Sequence, residues 1–155
     1  MNLNLGCGDV VIKRKGWVNG DLNPLTPETL KLDMLDLPYP DCSIEEVVSS
    51  HSLEHVPVPL KALQEWYRVL KVGGRLIIAV PNADLKSEWI MFHLKTEYDR
   101  GNTDLEKHHI DFTPASLLSL IQEAGIWSSI RTGNANEYWE LPGKSDWQLV
   151  MEAIK

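Results

Sequence analysis

Short apolar runs alternate with amphipathic stretches along this chain, the trace that β-α units leave in a sequence. Leu3-Asn4-Leu5 runs into Gly6-Cys7-Gly8, a first strand closed by a glycine turn. Trp17-Val18-Asn19 leads to Asp21, a second strand ending in an acid, and Leu30-Lys31-Leu32 leads to Asp33, a third. Glu46 to Ser50 forms a fourth strand that delivers the chain into His51. A helix is expected from about Pro59 to Lys71, because Leu63, Trp66, Tyr67 and Leu70 fall at i, i+3, i+4 and i+7, with Gly73-Gly74 as a left-handed cap. Arg75 to Val80 is nearly all apolar, as a strand buried on both faces should be, and Pro81 stops it.

A second helix spans Pro114 to Ala124, with Thr113 as N-cap, Pro114 at the first helical position and Gly125 past the end. Leu117, Leu120, Ile121 and Ala124 give it one apolar face. Late strands near Trp127 to Arg131 and Trp147 to Glu152 close the chain. Residues 82–112 are polar and weakly patterned, and a stretch of that size is expected to be a lid or substrate-binding insertion within one domain spanning 1–155. Trp66, Trp127 and Trp147 lie in periodic segments and are expected in the core, whereas Trp89 and Trp139 are expected to line a pocket or a subunit contact.

Composition narrows the function classes. A chain of 155 residues with 43% hydrophobic content fits a single core, one that buries roughly 68–70% of the unfolded surface. The net charge of −7 repels phosphate backbones, so nucleic acid is disfavoured as a partner. Lys13-Arg14-Lys15 is too short a basic run to change this and reads as a solvated loop. Cys7 and Cys42 form no C-x-x-C pair and point to a reducing compartment. With no charged leader and no apolar run of about 18 residues, a soluble cytoplasmic protein without a membrane segment is expected.

Ligands of an open parallel sheet gather at the carboxyl ends of its strands, where strand order reverses. Gly6 and Gly8 let the backbone approach a ligand. Asp21 is placed to accept two hydrogen bonds from a ribose diol, each contributing about 1.5–3 kcal/mol when charge-assisted, and Asp33 to accept from an exocyclic amine such as that of adenine. Glycines followed by acids after two successive strands therefore point to a nucleoside pocket. A dinucleotide is disfavoured: Val11 occupies the third glycine position of G-x-G-x-x-G, Asp21 lies only 15 residues after Gly6, and little room remains for a pyrophosphate-binding helix.

LNLGCG, GWVNGD, LDMLDLPYPDCSIEEVVSSHSLEHV, EWYRVLKVGGRLIIAVPN and HHIDFTPASLLSLIQEAGI, in this order, resemble the class I S-adenosylmethionine-dependent methyltransferases, in particular the small bacterial type similar to methyltransferase type 11. The likeness covers most of residues 2–130. It implies a Rossmann-like α/β sheet in the order 3-2-1-4-5-7-6 with the last strand antiparallel, S-adenosylmethionine as cofactor and S-adenosylhomocysteine as product. It also implies roles: Leu5, Gly6, Cys7 and Gly8 beside the methionine part, Asp21 and Leu22 at the ribose, Asp33 and Met34 around the adenine, Ser50 and His51 facing the transferable methyl. Where the pattern departs from the family, the chain begins at the first strand without amino-terminal helices, the helix after the glycine loop is nearly deleted, and Val72 replaces a frequent proline. The uncovered flank is expected to face solvent or a partner, a homodimer being one such partner.

Methyl transfer to a small or medium-sized acceptor needs a base only where the acceptor is protonated. His51 is the first candidate, and His108 and His109, ahead of the late helix, are the second. A non-catalytic cofactor-binding or scaffolding domain is the alternative. His51, Glu54 and His55 also spell H-x-x-E-H, the order of a zinc hydrolase site. Here the motif follows directly on a strand and is cut off by Pro57 and Pro59, so no metal site is expected, and Glu54 and His55 are expected to cap or hydrogen-bond the loop while Leu53 packs inward.

Overall fold

The computed structural model describes residues 1–85, 108–133, 137–138 and 148–155. Seven strands form one sheet in the order β3-β2-β1-β4-β5-β7-β6. They are β1 (Asn2–Leu5), β2 (Trp17–Asp21), β3 (Thr29–Lys31), β4 (Ile44–Ser50), β5 (Leu70–Pro81), β6 (Ser129–Gly133) and β7 (Gln148–Ile154). β1 to β5 pair in parallel, and β7 runs antiparallel between β5 and β6. This is the order and the antiparallel final strand that the sequence led us to expect.

Period-2 alternation splits the strands between two faces. Leu3, Leu5, Val47, Leu76, Ile78, Leu149 and Met151 pack with helices α1 (Pro59–Val69) and α2 (Pro114–Ala124) in the larger core. Trp66 is fully buried there and donates its indole N–H to the Met34 carbonyl at 3.1 Å. Val48, Ile77, Ala79 and Val150 point the other way and meet Tyr138 and Trp17. Further along this second face Glu46, Arg75, Glu152 and Arg131 form a chain of ion pairs across β4, β5, β7 and β6.

α2 has the expected bounds, and its cap is reciprocal: Thr113 Oγ1 accepts from the Ser116 N–H and Ser116 Oγ from the Thr113 N–H. α1 ends two residues earlier than expected. Leu70 is extended and pairs with Ile44, so β5 begins at Leu70, and Gly73 takes its positive φ (+77°) inside a register shift of that strand instead of capping the helix. Lys155 does the capping: its ammonium donates to the Tyr67 and Leu70 carbonyls at 2.7 and 2.8 Å.

Between β1 and β2 the described backbone forms no helix. Asn4 and Asn19, paired in register and both buried, face each other and bind the crossing loop: Asn4 Nδ2 donates to Asn19 Oδ1 and to the Val10 carbonyl, while Asn19 Oδ1 also accepts from the Ile12 N–H. Lys13, Arg14 and Lys15 are exposed, as a solvated loop requires. Trp127 is half-buried and stacks edge-on against Tyr67. Trp89, Trp139, Trp147 and most of the expected lid lie outside the described residues.

Candidate cofactor and active site

Strand order reverses between β1 and β4, whose ends are hydrogen-bonded neighbours: Leu5 pairs with Ser49 on one side and with Gly20 on the other. The loops leaving β1, β2 and β4 therefore emerge side by side, at the position where open α/β sheets take ligands.

The glycine loop is built by positive dihedrals at Gly6 (φ +65°) and Gly8 (φ +53°). Gly6 N–H donates to the Gly20 carbonyl at 2.8 Å, and Gly8 N–H to Asp21 Oδ2 at 2.8 Å. A Cβ on Gly6 would overlap the Ser52 side chain and approach Met34 Cε to 3.1 Å, whereas a Cβ on Gly8 would meet no described atom within 4 Å. Gly6 is thus pinned between two loops and Gly8 faces open space. Asp21 Oδ1 accepts from the Asn23 N–H at 2.9 Å. Each carboxylate oxygen has a further lone pair for a hydroxyl, so an open glycine loop with an acid at its rim fits a ribose. Leu22 is exposed beside it. Asp33 is exposed and turns its own loop by accepting from the Leu35 N–H. Cys7 is buried against Thr29 Oγ1, and burial pushes its thiol pKa up, so it packs as a neutral side chain.

After β4 the chain turns sharply. His51 has φ +52° and donates its N–H to the Ala79 carbonyl; Leu53–His55 is a single 3-10 turn with Leu53 fully buried. The Ser49 and Ser52 hydroxyls hydrogen-bond each other, and Ser52 also donates to the Leu5 carbonyl at 3.3 Å, tying this turn to β1. The His51 ring, 27% exposed, has Nδ1 3.4 Å from Glu54 Oε1 and Nε2 against the Gln148 amide. Neither Ser52 nor Gln148 stood out in the sequence: Gln148 lies 97 residues from His51 and meets it only through the β5-β7 pairing.

The Glu54 side chain departs from its expected loop-capping role. It is 1% exposed and neither carboxylate oxygen has a hydrogen-bond partner among the described residues. Its backbone carbonyl instead accepts from the His109 and Ile110 N–H groups at 2.8 and 3.4 Å. That strap sets the His108 ring edge-on to His55, centroids 4.7 Å apart, and leaves His109 exposed.

Residues 11–78 match a family model described as a methyltransferase domain, a span that includes Asp21, Asp33 and the whole turn after β4. A demethylmenaquinone methyltransferase of Paenarthrobacter aurescens is 41% identical over 95 residues, 61% of this chain and 37% of that enzyme. A 2-methyl-6-phytyl-1,4-hydroquinone methyltransferase of Oryza sativa subsp. japonica is 34% identical over 73 residues, 43% of this chain and 22% of its own length. The chain thus spans about a fifth to a third of the curated relatives it matches. Among solved structures, a SAM-dependent methyltransferase of Thermotoga maritima, titled a possible histamine N-methyltransferase, has the same fold: TM-score 0.69, 22% identity, 99% of this chain and 81% of the other. The methyltransferase CalH, solved with SAH, gives a TM-score of 0.63 at 14% identity, over 99% of this chain and 51% of the other. The seven-strand order and these likenesses agree on the fold, that of the class I S-adenosylmethionine-dependent methyltransferases, and residues 11–78 carry the similarity to a methyltransferase domain.

Proposed function

We propose that this protein transfers a methyl group from S-adenosylmethionine to a small or medium-sized acceptor. One observation carries the reading: the Gly8 to Asp21 hydrogen bond fixes a glycine loop and a strand-end carboxylate as one unit at the switch point of a methyltransferase sheet. Asp21 would hold the ribose hydroxyls with Leu22 alongside, Asp33 and Met34 the adenine, and the backbone from Leu5 to Gly8 the methionine part. Ser50 and His51 would face the methyl group.

When bound, S-adenosylmethionine supplies a methyl carbon activated by a sulfonium leaving group. Alignment is then the main contribution of the protein, worth effective molarities of about 10⁵ M or more in well-oriented reactants. For a hydroxyl acceptor, His51 takes the proton released as the new bond forms; an ammonium acceptor gives His51 its proton first, which frees the lone pair that attacks the methyl carbon. The nearby Glu54 carboxylate favours the Nδ1–H tautomer, which leaves Nε2 as the basic nitrogen, and the Gln148 amide occupies that nitrogen until an acceptor displaces it. His108 and His109 are the second choice as bases. The relatives are named for a demethylmenaquinone and a hydroquinone, so quinol-type rings are the first acceptors to assay. Among the described residues no helix is long and apolar enough to cross a membrane and both cysteines are free; a cytoplasmic setting belongs to the same proposal.

Titration calorimetry with S-adenosylhomocysteine tests the binding half. One site per chain is expected, and no heat at millimolar ligand would sink the reading. Transfer of a labelled methyl group tests the catalytic half. The loop that replaces the helix between β1 and β2 favours the alternative, a cofactor-binding domain without turnover, and saturable binding with no transfer to any quinol, phenol or amine would select it.

A further inference from the structure

We propose that Glu54, His55 and His108 form a binding site for a divalent first-row transition-metal ion. One donor atom from each of the three lies within 4.8 Å of the others. Ligand bonds of about 2.0–2.2 Å set neighbouring donors roughly 3–3.5 Å apart, so closing on an ion requires contraction by side-chain rotation and no change of fold.

Convergence alone is weak evidence, and the state of Glu54 supplies the independent observation. Its carboxylate is 2% exposed, and both oxygens lack a hydrogen-bond partner among the described residues. His51 Nδ1, 3.4 Å from Oε1, is beyond good hydrogen-bond length. A buried carboxylate is costly unless it is paired or bound to a metal. The backbone is arranged to keep the third donor in place: His109 and Ile110 donate to the carbonyl of Glu54 itself, and His55 N–H donates to the Ser52 carbonyl. The His55 and His108 rings already lie against each other, centroids 4.7 Å apart at 84°, with a nitrogen of each among the converging donors.

Two imidazole nitrogens and one carboxylate oxygen suit zinc, cobalt, nickel, iron or manganese better than magnesium or calcium, which prefer all-oxygen sets. Three protein ligands leave a coordination position open. His51 then serves as an outer partner of the ligating carboxylate. The donor set differs from the one its letters spell: His51 drops out of H-x-x-E-H, and the third ligand comes from 53 positions beyond His55, delivered by the strap ahead of α2.

The test uses the full chain, without a histidine tag, stripped with chelator and titrated near neutral pH with cobalt(II) followed by its visible absorption, and with zinc(II) by calorimetry. Saturation at one ion per chain is expected, with a rise in melting temperature as for any ligand of the native state. His55→Ala and His108→Ala should each weaken binding by more than about tenfold and abolish the thermal shift. Glu54→Gln should lose tight binding while its circular dichroism stays native. If that variant fails to fold, His108→Ala, at a half-buried loop position, decides alone. Absence of saturable uptake, or one-ion uptake unchanged in both histidine variants, overturns the proposal. Every readout is metal binding or stability, so the result does not depend on methyl transfer.

Discussion

The carboxylate of Asp21 meets two demands at once, since Oδ2 and Oδ1 accept from the Gly8 and Asn23 N–H groups and each oxygen retains a lone pair for a ligand. Asp21→Ala removes both backbone bonds and the proposed ribose contact. At about 1.5–3 kcal/mol for each of two charge-assisted bonds, S-adenosylhomocysteine affinity should fall by roughly 10²- to 10⁴-fold in calorimetry. The two glycines separate steric from dihedral cost. Gly6→Ala overlaps Ser52 as well as forcing φ +65°, so it should lose about 2–4 kcal/mol of stability, whereas Gly8→Ala faces open space and should lose about 1 kcal/mol. Urea denaturation of both variants checks the ordering, and equal losses would contradict it. His51→Ala should lower turnover by roughly 10²–10⁴-fold on a hydroxyl acceptor while leaving S-adenosylhomocysteine affinity within a few-fold. At this scale the strand-end residues were legible, because an acid or glycine directly after an apolar run has few other places to go. Glu54 was not: whether its side chain caps the loop or is buried depends on a strap more than 50 residues away.

Among the elements, the α1 to β5 junction shows what periodicity misses. Leu70 satisfies the helical spacing, but sheet pairing with Ile44 claims it, and the positive φ at Gly73 serves a strand irregularity. Tertiary pairing overrode local pattern there, whereas α2, carrying its own cap at Thr113, was readable to the residue. α1 also clamps the loop after β3. Glu65 accepts from the Leu37 N–H and from Arg68, and Arg68 reaches the Leu37 and Tyr39 carbonyls and Asp41. Hydrogen bonding to Arg68 holds the Glu65 carboxyl below the usual carboxylate range. A depressed folded pKa stabilises above the unfolded value of about 4.3 and loses that contribution as pH falls through the folded value. Glu65→Gln should therefore cost about 1–3 kcal/mol at neutral pH, and its melting-temperature deficit against the unmodified chain should shrink toward about pH 2. A deficit constant across that range would remove the role assigned to the clamp.

Across the whole molecule, turn signals located the strands along the chain, and their order in the sheet was what the family resemblance implied. What stands in for the missing helix could not be read. The buried Asn4 and Asn19 pair looks like polar noise in two strands until their register brings them together beneath the Val10 to Ile12 loop. Asn4→Val removes the donor shared by Asn19 Oδ1 and the Val10 carbonyl, leaving Asn19 Oδ1 with the Ile12 N–H alone, and it should lower the urea midpoint by the equivalent of about 1–3 kcal/mol with an unchanged m-value. The Ser49, Ser52 and Gly6 contact has a consequence of another kind. Because the turn after β4 is wedged against the loop after β1 with no room for a methyl group between them, the two rims of the crevice behave as a single stiff bracket. Occupancy on the proposed nucleoside side should therefore be felt at once on the proposed acceptor side, and hydrogen exchange should slow at amides 6–10 and 52–55 in the same proportion when S-adenosylhomocysteine is added.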